Sequence, residues 1–137
     1  EMCIRDRDTE GALLLTDDGD LAHKILHPSH ESTKTYEVLV KGIVSRGNVR
    51  KLEQGIEIDG RKTWPAKVST IEKQGLACRL VISIHEGRNR QVRKMFGAIG
   101  HPVINLKRIA YGQLRLGSLK SGAYRFLTPD DMKKVLL

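Results

Sequence analysis

Cysteine, aromatic side chains and long apolar runs are all scarce in this chain of 137 residues. Two cysteines, Cys3 and Cys78, without a partner motif do not support a disulfide scaffold or a zinc site. Aromatic residues make up 4% of the chain, which argues against a platform that stacks several bases at once. No apolar run approaches the roughly eighteen residues that a membrane helix requires, and no apolar signal segment precedes the folded part. We therefore expect a cytoplasmic protein that is not attached to a membrane.

Metal-binding patterns are also weak, and we predict neither a metal site nor a cofactor. His23 and His27 have a spacing that can bind a metal, but no Glu lies between them, so surface histidines are the better interpretation. The acidic residues of 17–20 are explained by a turn followed by a helix that Asp20 caps. This explanation argues against a metal-dependent hydrolase.

Positive charge is what the chain has in excess, and it is concentrated in one segment. The net charge is +8, and residues 87–129 contain nine Lys or Arg and no Asp or Glu. The rest of the chain has fifteen basic and sixteen acidic residues, so it is almost balanced. A charge run is usually a solvated face, but a one-signed segment in a balanced chain indicates binding to a polyanion, most often nucleic acid.

Residues 85–101 show a helical period with two different faces. The apolar residues of this period share one face: Val92, Met95, Phe96 and Ile99. The cations share another face: Arg90, Arg93 and Lys94. Gly87 gives a flexible entry and Asn89 can cap the first turn, so the arginines are expected near a helix N-terminus. Backbone N–H groups at such an end favour an anion, and we predict a site for a phosphate or a carboxylate there.

The remaining pattern predicts a single α+β domain with a mixed, largely antiparallel sheet and flanking helices. Alternation of apolar and polar residues is clearest at 34–41 and 78–84, and it places Tyr36 on the same face as Val38 and Val40. Further strands are predicted at 12–16, 102–110, 113–116 and 124–127, a hairpin at 56–72, and helices at 21–26, at 45–54 and from Thr128.

Four blocks of the sequence, taken in order, match one family. They are DRDTEGALLLTDDG at 6–19, KTY at 34–36, EGRNRQVRKMF at 86–96 and GHPV at 100–103. Together they resemble the RsuA/RluB family of bacterial ribosomal RNA pseudouridine synthases, over nearly everything after residue 6. The first six residues, EMCIRD, instead resemble the translation of a sequencing-library adapter, and Cys-Ile-Arg stands where the family has Gly-Arg-Leu. We expect residues 1–6 to be a non-native scar and residues 7–137 to be a partial catalytic domain with the pseudouridine synthase fold.

The resemblance implies an isomerase that converts a uridine of ribosomal RNA to pseudouridine with an aspartate nucleophile. By register Asp6 takes the position of that aspartate, and Asp8 is the nearest alternative carboxylate. The resemblance gives Arg93 the role of the arginine that keeps the nucleophile ionised. It makes Tyr36 the aromatic residue against which the flipped base stacks.

Ribosomal RNA is the implied partner, and a monomer is the expected state. Five cations are expected to bind the RNA: Arg88, Arg90, Lys94, Lys107 and Arg108. Arg90 is also a candidate for a second partner of the nucleophile. The implied substrate is the 23S RNA of the large subunit. A 16S small-subunit enzyme and a non-catalytic RNA-binding fragment are the alternatives.

Overall fold

The computed structural model of the protein describes residues 8–27 and 32–136. The α+β architecture predicted from the sequence is confirmed. The helices are α1 Gly19–Leu26, α2 Arg46–Gln54, α3 Gln91–Ala98 and α4 Pro129–Val135. The strands are β1 Glu10–Gly11, β2 Lys34–Lys41, β3 Glu57–Ile58, β4 Arg61–Lys62, β5 Lys67–Gln74, β6 Ala77–Ile84, β7 Val103–Tyr111 and β8 Leu114–Arg115. None of the helices in the described ranges is long and apolar enough to cross a membrane.

One sheet organises the domain, with the strand order β1-β7-β2-β6-β5 and with β8 paired to β7. Its neighbours run antiparallel apart from β1, which runs parallel to β7. The central strand β2 is one of the two segments in which the sequence alternates clearly, and Val38 and Val40 on its inner face are fully buried. This is the arrangement expected of a strand that is covered on one face only.

The inner face of the sheet carries the main core. Leu52 of α2 and Val92, Met95 and Phe96 of α3 pack there against side chains of β2 and β6. The prediction that one face of the helix after residue 90 is apolar is therefore confirmed. A second, smaller cluster joins α1, α4 and the end of β7 through Ile25, Val135, Tyr111 and Leu114. The inner face thus meets two separate apolar clusters.

Helix ends follow local chemistry that the sequence displays. Helix α2 begins after Ser45, whose hydroxyl accepts from Asn48 N, and ends at Gly55 with a positive φ of 104°. Thr128 and Asp131 form a reciprocal capping box at the start of α4. The Arg125 guanidinium and the Thr128 backbone N–H both bond to the Asp131 carboxylate, and they hold its pKa far below the usual value.

Two predicted caps were wrong. Helix α1 is capped by Asp18 and not by Asp20, because the Asp18 carboxylate accepts from two backbone N–H groups of the first turn. Helix α3 is preceded by Arg90 in the left-handed region, with φ of 51°, and not capped by Asn89. The chain therefore turns sharply at Arg90 before the helix starts at Gln91.

Three predicted β segments also differ from the structure. Residues 12–16 are not a strand, and Leu15 is 83% exposed, because the chain leaves β7 after Ala12. Residues 124–127 do not form a strand either, and the rings of Tyr124 and Phe126 lie exposed against each other. The hairpin at 56–72 is shorter than predicted, since β3 pairs only with β4 while β5 pairs with β6. An apolar run forms a strand only where a neighbouring strand is available to pair with it.

Candidate active site

A hydrogen-bonded turn leads into α3. Gln91 is buried, its side-chain Oε1 accepts from Arg88 N at 3.2 Å, and its own N–H donates to Arg88 O at 3.1 Å. This turn places Arg90 and Arg93 together at the start of the helix. The sequence predicted the pair at this end, and the left-handed turn at Arg90 is what sets their direction.

Both arginines reach the segment that leads into β1. The Arg93 Nη2 atom donates to the backbone carbonyl of Asp8 at 2.7 Å, across 85 residues of sequence. The Arg90 Nη1 atom lies 3.7 Å from the Asp8 carboxylate, and both side chains are partly exposed. An exposed ion pair contributes little by itself, so the Arg93 hydrogen bond is the firmer of the two contacts. Asp6 is two residues upstream of Asp8 and lies outside the described residues.

Strand β1 lies so close to β7 that no side chain would fit between them at Gly11. A Cβ atom on Gly11 would lie 2.1 Å from Arg108 O, and Gly11 has a φ of 96°, a conformation that glycine adopts readily. The next residue continues the contact, because Ala12 N donates to Arg108 O at 2.8 Å. Gly11 belongs to the first of the four motif blocks, and a glycine inside a strand is a signal of close backbone approach.

Tyr36 lies on the inner face of β2, as predicted, and packs against the main core while remaining half-buried. Arg108 stands opposite it on β7 and is only 3% exposed. The Arg108 Cζ atom lies 6.0 Å from the centre of the Tyr36 ring and 4.5 Å from that of Tyr111. The Arg108 Nε atom also donates to the Ala12 carbonyl at 2.9 Å. The arginine thus contacts β1 and two aromatic rings at once.

Lys34, the first residue of the KTY block, lies on the same face of β2 as Tyr36. Its side chain is 7% exposed, and its Nζ atom is 2.9 Å from the position that a Cβ on Gly87 would take. A methyl group at Gly87 would therefore displace the lysine. Two residues before Gly87, His85 Nδ1 lies 3.1 Å from the Thr33 hydroxyl. The entry to α3 and the start of β2 are therefore in contact.

Arg88 has contacts of a structural kind. Its Nη2 atom donates to Ile58 O at 2.5 Å, and both terminal nitrogens reach Arg61 O at 3.2–3.3 Å. Its Nη1 atom also lies 3.9 Å from the carboxylate of Glu86, which is buried and accepts from Trp64 N at 2.6 Å. Arg88 and Glu86 together attach the β3–β4 ribbon to the entry of α3.

The other two predicted RNA-binding residues lie on more open surfaces. Lys94 on α3 forms an ion pair with Asp59 at 2.6 Å, and this hydrogen bond lowers the pKa of the Asp59 carboxyl. Lys107 on β7 is exposed and stands beside Glu37 of β2 and Glu10 of β1, on the opposite face from Arg108. The structure therefore separates two consecutive cations onto opposite faces of the sheet.

The comparisons with known proteins agree on one family. The family model for RNA pseudouridylate synthase matches residues 5–98, a stretch that includes Asp6, Tyr36 and Arg93. The chain is 49% identical over 132 residues to ribosomal large subunit pseudouridine synthase B of Bacillus subtilis, which covers 95% of this chain and 54% of that protein. It is 36% identical over 133 residues to ribosomal small subunit pseudouridine synthase A of Vibrio cholerae, covering 95% of this chain and 56% of that protein.

A solved structure supports the same assignment. A crystal structure described as a pseudouridylate synthase superposes with a TM-score of 0.89 at 36% identity, and the match covers 96% of this chain and 56% of that chain. The chain spans about half the length of the curated relatives it matches. The family predicted from the four sequence blocks is confirmed, and the chain belongs to the RNA pseudouridylate synthase family.

Proposed function

We propose that the protein isomerises a uridine to pseudouridine in ribosomal RNA of the large subunit, with Asp6 as the nucleophile. The observation that carries the proposal is the hydrogen bond from Arg93 to the Asp8 carbonyl. It joins the start of α3 to the segment in which the family match includes Asp6. The large subunit is chosen because the relative at 49% identity is named for it.

The chemistry needs an ionised carboxylate next to an immobile cation. A carboxylate attacks the ribose or the uracil ring only in its charged form, and a guanidinium favours that form without ever losing its own proton. Arg93 already donates a hydrogen bond to the backbone of Asp8, two residues after Asp6 in the sequence. In the proposed reaction the Asp6 carboxylate forms a bond to the ribose or the uracil ring, and the bond between N1 and C1′ breaks. The base rotates, C5 bonds to C1′ and the carboxylate is released. N1 takes up a proton, and C5 loses one.

Tyr36 is proposed to receive the uracil ring. Extrusion of a base from its stack costs a few kcal/mol, and an aromatic side chain returns about 1–3 kcal/mol by stacking. Tyr36 is half-buried, so part of its surface remains accessible to a ligand. Its hydroxyl is also proposed for the late removal of the C5 proton, which is matched by the proton that N1 gains after its bond to C1′ is lost.

The RNA surface is proposed to lie on the exposed cations, with Lys107 and Arg90 as its main contributors. The contacts of Arg88 with carbonyl groups of the β3–β4 ribbon favour a structural role for it. Lys94 is engaged by Asp59, and a phosphate would compete with that carboxylate. We further propose that the protein acts as a monomer, without a metal or an organic cofactor.

The decisive experiment is turnover with Asp6→Asn beside Asp8→Asn as the matched control. Both changes remove one carboxylate charge from the same segment, but only Asp6 is the proposed nucleophile. Unmodified 23S and 16S transcripts serve as substrates, and pseudouridine is located by reverse-transcription stops after carbodiimide labelling. The assay is run on this chain and on a protein whose residues 1–6 come from its source gene.

We expect Asp6→Asn to remove pseudouridine formation completely and Asp8→Asn to lower it by less than about tenfold, because Arg93 binds the backbone and not the side chain of Asp8. Product on the 16S transcript alone would replace the large-subunit assignment by the small-subunit one. RNA binding without product on either transcript, in both proteins, would replace the enzyme by an RNA-binding module.

A further inference from the structure

Arg108 is a cation in an unusual position for an RNA-binding residue. It belongs to the one-signed segment and was predicted to bind RNA, yet its exposed fraction is 3%. Its neighbour Lys107 is exposed on the opposite face of the same strand. A phosphate group approaching from solvent would reach Lys107, whereas the Arg108 guanidinium lies between two aromatic rings. The Arg108 guanidinium therefore interacts with groups inside the protein.

We infer that Arg108 is a positioning residue that fixes the ring of Tyr36 relative to strand β1. The inference rests on the proposed function, because β1 begins four residues after the proposed nucleophile. The Arg108 Nε atom holds the Ala12 carbonyl at 2.9 Å, and its guanidinium faces the Tyr36 ring at 6.0 Å. The planar guanidinium of Arg108 thus links strand β1 to the Tyr36 ring, and the uridine is proposed to react between them.

The backbone around Arg108 makes this link stiff. Gly11 leaves no room for a side chain against Arg108 O, and Ala12 N bonds to the same oxygen at 2.8 Å. The register of β2 and β7 shifts by one residue between Thr35 and Tyr36, so that Arg108 stands directly opposite Tyr36. Without that shift the residue opposite Tyr36 would be Ile109. The bulge therefore aims the guanidinium at the ring.

The geometry demands arginine specifically. The guanidinium is planar, it faces aromatic rings, and its Nε–H donates in a fixed direction from the same plane. A lysine ammonium keeps the charge but has neither the plane nor the Nε donor. Arg108→Lys is therefore a sharper probe than a change to alanine, because it separates charge from position.

The test compares Arg108→Lys and Arg108→Met with Arg79→Met. Arg79 is a matched control, since it is also an arginine on a strand. It forms ion pairs with Glu37 and Glu72 and lies on β6, outside the site. The measurements are kcat at saturating RNA transcript and the dissociation constant for the same RNA. We expect both Arg108 variants to lower kcat by about 100-fold or more, RNA affinity to stay within about threefold, and Arg79→Met to retain kcat.

Two results would overturn the inference. A tenfold or greater loss of RNA affinity with unchanged kcat, together with a salt dependence reduced by about one counterion, would return Arg108 to the RNA surface. Unchanged kcat per folded molecule, in a variant that only melts at a lower temperature, would leave it a purely structural residue.

A second measurement keeps the inference testable if the wild type forms no pseudouridine. Tyr36 ring and Ala12 amide resonances are followed by NMR in the RNA-free protein. We expect both to move in Arg108→Lys while the resonances of the distant core residue Leu52 stay in place. Unmoved Tyr36 and Ala12 signals would overturn the positioning role whatever the fate of the proposed enzyme. Absence of turnover with moved signals would count against the proposed function alone.

Discussion

The two ends of the inner face of β2 differ sharply although they belong to one strand. At the apolar end Val38 and Val40 are fully buried, and their partners across the sheet include Leu80 and Leu106. At the polar end the same face continues with Tyr36 and Lys34, whose partners on β7 are Arg108 and Tyr111. The alternation of inward-facing residues continues along β2, but these side chains change from aliphatic to aromatic and charged within two residues.

This difference shows how the candidate site is made rigid. The apolar end supplies close packing, and the polar end extends the same backbone without a hinge or a flexible loop. Lys34 and Arg108 are nearly as buried as the valines, so their positions are set by the surrounding structure and not by solvent. The site is a continuation of the core in which charged groups replace aliphatic ones. Changes at the two ends should therefore have separable effects.

The largest effect is expected from Arg93→Ala, at the start of α3. Loss of its guanidinium frees the Asp8 carbonyl and removes the cation proposed to keep Asp6 ionised. We expect kcat/KM on the rRNA transcript to fall by about 1,000-fold or more, with Arg93→Lys recovering little of it because an ammonium lacks the planar fork.

Arg46→Ala is the control for Arg93, since it removes a positive charge from an exposed first-turn position of α2. It should leave kcat/KM within about threefold. Comparable losses in both variants would mean that the arginines act through the total charge of the protein. The position of Arg93 would then not matter for catalysis.

The next effect separates stability from activity across the two ends. Val38→Ala leaves a cavity in the main core, and we expect the free energy of unfolding to fall by about 2–3 kcal/mol with normal kcat in the molecules that remain folded. Tyr36→Leu keeps apolar contact with the core but removes the ring, and should lower kcat by about 100-fold with a smaller loss of stability.

Urea unfolding and turnover on the same samples provide the comparison, and Tyr36→Phe adds a finer test. Activity in Tyr36→Phe close to the wild type would assign the tyrosine to stacking, whereas a loss equal to that of Tyr36→Leu would assign it to proton removal. A large loss of kcat in Val38→Ala, measured well below its melting temperature, would show that the two ends are not separable.

The division within β2 was only partly predictable from the sequence. Alternation identified the strand and its inner face, and cap residues located the start of α2 and of α4. The motif blocks predicted Arg93 and Tyr36 as site residues, and these roles stay predictions. Pattern alone did not distinguish Lys107 from Arg108, because two consecutive cations look alike until the phase set by Leu106 places one of them inward.

The contacts that the sequence missed depend on distant partners. The prediction that Arg88 binds RNA stays a prediction, and no sequence pattern indicated its hydrogen bonds to carbonyl groups 27 to 30 residues away. The close approach of Gly11 to Arg108 exists only because β1 pairs with β7 across nearly a hundred residues. The left-handed turn at Arg90 likewise has no local signature, since it is a non-glycine residue in a conformation that glycine favours. Tertiary packing decides all three.

The smallest effect is expected from Lys107→Ala, on the outer face of β7. Lys107 is exposed on this outer face, and we propose that its ammonium binds a phosphate of the RNA. Each phosphate contact contributes about 0.9 to the slope of log K against log salt in duplex DNA and about 0.7 in single strands. We expect RNA affinity to fall about two- to fivefold near 0.1 M salt, the slope to fall by about 0.7–0.9, and kcat to stay unchanged.

Titration of a fluorescent rRNA fragment over a range of salt concentrations measures this slope, with Lys51→Ala on α2 as an exposed control of the same chemistry. An equal change of slope in both variants would mean that the protein attracts RNA by its overall charge and not through the outer face of β7. A loss of kcat in Lys107→Ala would break the comparison more deeply, because it would give the exposed cation a part in catalysis that is proposed only for buried Arg108, which acts through Tyr36.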